Sequence, residues 1–176
     1  MYLRESFTTR QIRGPRMTVR LTTLGHPSVS LNGEELTSLP RKPVTFGFFV
    51  CLAVEREATR DHLVSVFWPE SSQEKARHAL SQTLYELRQA LGEDWVESSG
   101  NTVRTTPSLW VDSREFSERV ESGKYREAVD LYAGPFLAGF HLAPTHPFEE
   151  WVERNRARFA RRHRVAIDSF IADCRE

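Results

Sequence analysis

Residues 71–92 read SSQEKARHALSQTLYELRQALG, and this stretch predicts one helix with two unlike faces. A largely apolar stripe recurs at helical spacing, at Ala76, Leu80, Thr83, Leu84, Leu87 and Leu91. The opposite face carries hydrogen-bonding side chains, at Lys75, His78, Gln82, Tyr85 and Gln89. Amide, basic and phenolic groups are the types that reach base edges and phosphates in a DNA major groove. The stretch therefore favours nucleic-acid recognition, and an ordinary surface helix is the alternative.

A small antiparallel sheet is predicted near the start of the chain, from apolar residues that alternate with polar ones. Its members would be Val19, Leu21, Thr23, Val29, Leu31, Leu36 and Leu39. Asn32-Gly33 favours a type I′ hairpin turn in this sheet, because both central residues of that turn need positive φ. Residues 1–16 show no periodicity and are expected to be a disordered leader rich in arginine.

Two helices are predicted between the sheet and residues 71–92. Pro43 suits the first turn of a helix, and the run VTFGFFVCLAVE that follows is typical of a central buried helix. Thr59 can cap a second helix, RDHLVSVFW, which Pro69 stops. Caps are also expected for the third helix, with Ser71 or Ser72 at its start, Glu74 in a capping interaction and Gly92 at its end.

A strand, a turn and a second strand follow the third helix, at Trp95-Val96, residues 97–101 and residues 102–104. The order is then short strands, three helices and a hairpin, which is the winged-helix arrangement. In that arrangement the second helix braces the DNA backbone and the third enters the major groove. The hairpin, or wing, reaches an adjacent groove. Residues 17–111 are therefore predicted to be a winged-helix DNA-binding domain.

The composition changes at Val111-Asp112, and residues 112–176 are expected to form a helical domain. Gly123 and Gly134-Pro135 would close its first two helices, and the link GPFLAGFHLAPTH would pack against them. Pro147 opens a long helix. Its predicted apolar stripe comprises Phe148, Trp151, Val152, Phe159, Val165, Ile167, Phe170 and Ile171. Paired helices of this kind resemble an element of an α-solenoid, so this domain is expected to be a fragment of a longer one.

Charge limits how the chain can bind DNA. The formal net charge is zero, and residues 17–112 contain nine Lys and Arg against twelve Asp and Glu. Non-specific affinity comes mainly from phosphate neutralisation, so this part should bind duplex weakly. Specific binding then requires that the acidic residues face away, as expected for Glu34, Glu35, Glu55, Glu57 and Asp61. Glu74 and Glu86 lie on the reading helix, where they would weaken binding or accept from cytosine amino groups.

Other classes of protein are disfavoured. Residues 44–54 are too few for a membrane span, and Cys51 and Cys174 lack the spacing of a zinc site, which suits reduced thiols in a cytoplasmic protein. Two histidines precede a pair of glutamates, at His141, His146, Glu149 and Glu150, but Pro144 and Pro147 interrupt the helix that a metal site would use. No phosphate loop or nucleophile motif is present. We therefore expect no enzyme, metal or cofactor.

The middle of the chain resembles the winged helix of the Streptomyces antibiotic regulatory protein family. The resemblance rests on Arg41-Lys42-Pro43, Arg60-x-x-Leu63, Phe67-Trp68-Pro69, Ala76-Arg77-x-x-Leu80 and Leu87-Arg88-x-x-Leu91. The later VDSREF, GKYREAVDLYAGPFLAGF and FEEWVERNRAR resemble the bacterial transcriptional activation domain that follows this winged helix in the family. Together these motifs cover residues 17–176, and their joint order is more specific than any one of them.

The resemblance implies a mainly α fold with small β-sheets: an OmpR-like winged helix-turn-helix, then a tetratricopeptide-like helical domain. It also implies an activator that binds repeats in double-stranded promoter DNA, dimerises and recruits RNA polymerase. Its reading residues would be Lys75, Arg77, His78, Ser81, Gln82, Tyr85 and Arg88, with Gly100, Asn101 and Arg104 in the wing. Two features depart from the family, because the wing lacks a Gly-Tyr pair and the activation domain is short.

Several of these residues have more than one possible role. Arg77 and Arg88 would each pair with a local acid or bind a phosphate, whereas Gln82 and His78 suit base contacts. Tyr85 would contact a thymine methyl or cover leucines. The arginines of residues 154–164 would form a solvated face, or contact DNA, polymerase or the acidic residues 113–130. The prediction is a cytoplasmic, nucleoid-associated regulator, and a protein-interaction module that no longer binds DNA specifically is the alternative.

Overall fold

The computed structural model describes residues 18–142 and 146–174, without the side chain of His146. The predicted leader and Pro144 lie outside the described residues. The strands in chain order are β1 (Val19–Thr22), β2 (Ser28–Leu31), β3 (Glu34–Glu35), β4 (Glu57–Thr59), β5 (Val96–Ser99), β6 (Thr102–Thr105) and β7 (Leu109–Val111). The helices are α1 (Pro43–Glu55), α2 (Arg60–Phe67), α3 (Gln73–Leu91), α4 (Asp112–Glu121), α5 (Tyr125–Leu131) and α6 (His146–Asp173).

The first sheet has the order β3-β2-β1-β7. The predicted hairpin turn is confirmed, since Asn32 and Gly33 have φ of 53° and 90° and join β2 to β3. The predicted antiparallel pairing is confirmed for β1 with β2 and for β2 with β3, and the sheet has an unpredicted fourth strand, β7, which pairs in parallel with β1. Leu39 is buried but lies outside the strands. A three-residue strand with a distant partner has too little periodicity to be predicted.

The three helices predicted before the wing are all present. Pro43 lies in the first turn of α1, which is buried from Thr45 to Ala53. The hydroxyl of Thr59 caps α2 by accepting from the His62 amide at 3.2 Å. The stripe predicted for α3 is buried at all six positions, and Gly92 ends the helix with φ 85°. The predicted side-chain cap is wrong, because Ser72 is the N-cap residue but its side chain makes no capping hydrogen bond.

The second sheet has the order β4-β6-β5 and forms the wing. β5 and β6 are an antiparallel hairpin in which Ser99 pairs with Thr102, so Gly100 and Asn101 make its tip. β4 was not predicted. It pairs with β6 in the short segment between α1 and α2, and it fixes the wing beside the start of α2.

The helices after the wing share a core with the helices before it. The rings of Phe67 on α2 and Phe148 on α6 lie 5.2 Å apart between centroids. Gly47 on α1 allows this approach, since a Cβ there would lie 3.2 Å from the Phe148 ring. The Trp151 indole also donates to Glu55 at the end of α1, at 2.8 Å. The boundary predicted at residues 111 and 112 therefore lies within continuous packing and stays a prediction.

Asp112 connects the first sheet to α4. Its buried carboxylate accepts from the amides of Leu24 and Ser113 and from the amide and hydroxyl of Thr23, at 2.7–2.8 Å. Burial raises the pKa of this carboxyl group, against the opposing effect of these hydrogen bonds. One side chain thus fixes the position of α4 against the end of β1.

The link after α5 packs as predicted. Phe136 and Leu137 are fully buried, and the Phe136 ring lies 5.2 Å from that of Phe159 on α6. The stripe predicted for α6 is only half right. Val165 and Ile171 remain 50% and 44% exposed, whereas Ala166 is the fully buried residue of this half of the helix. Within the described ranges, no helix is long and apolar enough to cross a membrane.

Candidate nucleic-acid interface

The exposed face of α3 is held in position because the opposite face of the helix is buried. Its opposite face packs into the core through leucines such as Leu80, Leu84 and Leu87, each at most 2% exposed. Six of the seven residues predicted to read DNA from this helix are exposed, namely Lys75, Arg77, His78, Ser81, Gln82 and Tyr85, whereas Arg88 is only partly exposed. Tyr85 is 58% exposed, so it does not cover the leucines. Within the described residues, Lys75 and His78 form no ion pair.

Asp61 connects the reading helix to the wing. One of its carboxylate oxygens lies 3.7 Å from the Arg77 guanidinium on α3, and the other accepts from the Asn101 amide at 2.9 Å. Arg60 adds two contacts to the wing tip, through its amide to the Asn101 carbonyl at 2.7 Å and its Nε to the Gly100 carbonyl at 3.3 Å. The first turn of α2 therefore holds the wing tip near α3.

A cleft of ≈ 390 Å³ lies between α3 and the wing tip. Its lining includes Arg60, Arg77, Ser81, Gly100 and Asn101. The Ser81 hydroxyl donates to the Arg77 carbonyl at 3.0 Å, which leaves its lone pairs to accept. The structure thus brings four of the predicted contact residues together and adds Arg60 to them.

Arg88 and Arg104 are engaged by acids of their own chain. Arg88 donates from Nη2 to the Ser98 hydroxyl at 3.3 Å, and its Nε lies 3.3 Å from a Glu93 oxygen. Arg104 lies 4.0 Å from Glu57 and 3.9 Å from Glu97 across the wing. Arg77 and Arg88 were each predicted to pair with a local acid or to bind a phosphate, and in the structure both pair with a local acid.

The acidic residues are not arranged as predicted. Asp61 and Glu57 were expected to face away, yet each lies beside a predicted contact residue of α3 or the wing. Glu86 is instead held at the far end of α3, where Lys42 donates to it at 3.0 Å. The hydrogen bond from Lys42 is the main reason that the pKa of Glu86 is lowered. Charge counting by segment missed these contacts because β4 and the start of α2 fold against the wing.

Asp61 and Arg60 are the residues that sequence reasoning missed as part of this surface. Arg60 carried a signal, since it belongs to the Arg60-x-x-Leu63 motif. Asp61 looked like an ordinary acid in a first helical turn, where it also suits the helix dipole.

The arginines of α6 bind their own chain. Arg156 donates to the carbonyls of Phe136 and Leu137, at 2.9 and 3.0 Å. Arg162 pairs with Glu121 of α4 at 2.6 Å, which matches the predicted alternative of contact with the acidic residues 113–130. These contacts attach the long helix to the link and to α4.

The rest of the structure offers little reactive chemistry. The described residues contain no group of three or more His, Cys, Asp or Glu that could hold a metal ion. Cys51 is fully buried, and burial raises the pKa of its thiol well above the usual value. A buried thiol of this kind is an inert packing group.

Comparison with known proteins gives a likeness in fold. No family model and no curated protein matches the sequence. Among solved structures, the chain is similar to Mycobacterium tuberculosis EmbR in complex with a low-affinity phosphopeptide, with a TM-score of 0.63 and 16% identity. The match covers 90% of this chain and 47% of EmbR, so the chain spans about half the length of that protein. It supports a winged helix followed by a helical part, as in the antibiotic regulatory proteins.

Proposed function

We propose that the chain is a transcriptional regulator that reads promoter DNA with α3 and touches the flanking backbone with its wing. A regulator of this kind works in the cytoplasm, on the nucleoid. The likeness to EmbR supports a regulator-like fold, and the chemistry of the α3 face supports the reading role. The proposal needs no cofactor.

One observation carries the proposal. Lys75, His78, Gln82 and Tyr85 project from one exposed face of α3, while the whole apolar stripe of that helix is buried. A helix whose base is fixed can hold amide and imidazole groups at defined positions along a groove, and a glutamine amide can bind adenine at two atoms. Asp61 holds the wing tip beside α3, from where it would contact the adjacent backbone.

The helical part would act after DNA is bound. We propose that it supplies dimer contacts or recruits RNA polymerase, as the family resemblance implies. The exposed Val165 and Ile171 on α6 are apolar side chains available to such a contact. Dimerisation would also double the few specific contacts that one α3 makes, which matters for a winged helix with excess negative charge.

Selection from a random duplex pool, followed by fluorescence anisotropy, tests the reading role without knowledge of the operator. The chain should enrich a sequence motif and bind it roughly 10³-fold or more tightly than a scrambled duplex. Titrations over a salt series should give a shallow slope for both duplexes, because few phosphates are neutralised. Equal weak binding to selected and scrambled duplexes would contradict the proposal.

A protein-interaction module is the second candidate. It is favoured by the local pairing of Arg77, Arg88 and Arg104 with carboxylates, which reduces the charge available to phosphates. In that case no motif would be enriched, and substitutions on α3 would leave the weak duplex binding unchanged.

A further inference from the structure

A second pocket lies away from the surface proposed to contact DNA, where the end of α1, one face of α4 and the middle of α6 meet. Its volume is ≈ 280 Å³, which is at the small end for a ligand site. Four arginines and two glutamates line it, so its charge is positive on balance. No residue proposed to contact DNA lies in this pocket.

Two of the four arginines form ion pairs with the glutamates of the pocket, and two do not. Arg56 contacts Glu118, and Arg162 pairs with Glu121 at 2.6 Å, so both glutamates of the pocket are already engaged. Within the described residues, Arg114 and Arg158 form no ion pair. Arg114 is half-buried and donates from one Nη to the Thr105 hydroxyl. Arg158 lies over the Phe159 ring, 4.5 Å from its centroid.

The surroundings of Arg114 and Arg158 lower the pKa of both side chains. Burial first, and then the positive charge of Arg56, lower the pKa of Arg114 to about 10, although the charge of Glu118 acts in the opposite direction. Partial desolvation also lowers the pKa of Arg158, and the nearby charge of Arg162 adds to this effect. Both side chains stay protonated at neutral pH. Glu118 offsets part of the repulsion at Arg114 and Glu55 offsets part of it at Arg158, and an anion between the two arginines would reduce what remains.

Two buried polar atoms of the pocket lining lack hydrogen-bond partners among the described residues. They are the Ser113 hydroxyl and the Arg114 Nε. Ser113 is 99% buried, since its exposure is 1%, and it lines the pocket. Buried donors without partners are uncommon and costly in folded proteins, so a small shift of these two side chains toward an acceptor in the pocket would be favourable.

We propose that this pocket binds a compact oxyanion, the phosphate or carboxylate group of a small molecule, between Arg114 and Arg158 with the Ser113 hydroxyl as a further donor. The two cations supply charge, and the guanidinium of Arg114 can present its free Nε–H to an oxygen. The pocket joins α1 of the winged helix to α4 and α6, so the bound anion would stabilise the packing of these elements. This inference does not depend on DNA binding.

Thermal unfolding and isothermal titration calorimetry of the full chain test the site. Inorganic phosphate and malonate are titrated separately at constant ionic strength, with chloride as the reference salt. The expected result is a saturable rise in Tm and a heat of binding with one or both oxyanions beyond that of chloride. Tighter binding of phosphate assigns a phosphate-bearing ligand, and tighter binding of malonate assigns a carboxylate. No saturable binding of either overturns the proposal.

Variants locate the site. Arg158→Gln, at an exposed position, should weaken binding about 10-fold, the loss expected for one charged hydrogen bond. Ser113→Ala should weaken it by a smaller factor. Arg161→Gln is the matched control, because Arg161 is an exposed arginine of the same helix outside the pocket, and its affinity should be unchanged. Equal losses in Arg158→Gln and Arg161→Gln would show general charge screening and would overturn the proposal.

Discussion

The two long helices, α3 and α6, use their polar side chains in opposite ways. α6 carries six arginines within residues 154–164, and by charge alone it would be the better DNA-binding helix. Three of them, Arg156, Arg158 and Arg162, instead contact the link, an aromatic ring and α4. α3 has fewer cations, yet Lys75 and His78 are exposed and, within the described residues, form no ion pair.

For DNA binding, whether a charged side chain is already bound within its own chain therefore matters more than how many charges the helix carries. An arginine whose donors already bind buried carbonyls has a structural role, and using it for phosphate would cost those hydrogen bonds. The amide of Gln82 hydrogen-bonds the partly exposed carboxylate of Glu86, which is a weaker tie than a bond to a buried carbonyl, so using this amide for DNA would cost less. The following substitutions test whether the two helices divide their roles in this way.

Leu84→Ala should have the largest effect. Leu84 is 2% exposed in the stripe that supports α3, and the cavity left by alanine should lower the free energy of unfolding by about 2–5 kcal/mol. Urea denaturation measures the change. Gln89→Ala, on the exposed face of the same helix, is the control and should change stability by less than about 0.5 kcal/mol. Similar losses of stability in the two variants would mean that the leucine face of α3 is not packed into the core.

Arg156→Gln should destabilise the chain by about 2–3 kcal/mol, because it removes charged hydrogen bonds to the carbonyls of Phe136 and Leu137. The same denaturation measurement applies, with the exposed Arg161→Gln as its matched control. Affinity for the selected duplex should not change in the folded variant. A stable Arg156→Gln protein that loses DNA affinity would reverse the roles assigned to the two helices.

Gln82→Ala should cost about 1–3 kcal/mol of binding free energy on the selected duplex and relax its specificity at one base pair. Anisotropy on the selected duplex and on duplexes with single substitutions measures both effects. Gln89→Ala makes the same chemical change two turns further along the same exposed face, at a position that is not among the proposed contacts, and should leave affinity within error. If the two variants behave alike, Gln82 does not read a base.

Lys75→Gln should have the smallest effect. An exposed lysine in the first turn of α3 suits a phosphate contact, so its loss should weaken selected and scrambled duplexes equally. The slope of log affinity against log salt should fall in magnitude by about 0.9. The slope for Arg161→Gln should stay at the wild-type value, and a change there would place phosphate contacts on α6.

Local signals in the sequence predicted the elements well. The positive φ that Asn32-Gly33 requires, the proline in the first turn of α1 and the spacing of leucines in α3 all depend on neighbouring residues, and the structure has them as predicted. The prediction for the second half of the α6 stripe was wrong for a different reason. Periodicity identifies which residues share a face, but whether a neighbouring element covers that face depends on the fold, as Val165 shows.

The arrangement around the candidate site depends on contacts between distant segments. β4 and β7 are three-residue strands whose partners lie far along the chain, and strands this short have too little periodicity to be predicted. Asp61 contacts Arg77 and Asn101 only because β4 holds the wing beside α2. Charge sums over a segment cannot find such pairs.

The central claim is that α3, and not α6, is the surface that meets DNA. Chemical-shift mapping of the ¹⁵N-labelled chain, with and without the selected duplex, tests it most directly. We expect the largest changes on the exposed positions of α3 from Lys75 to Tyr85 and on the wing tip at Gly100 and Asn101, while residues 154–164 stay unchanged. Changes concentrated on residues 154–164, with α3 unaffected, would contradict it.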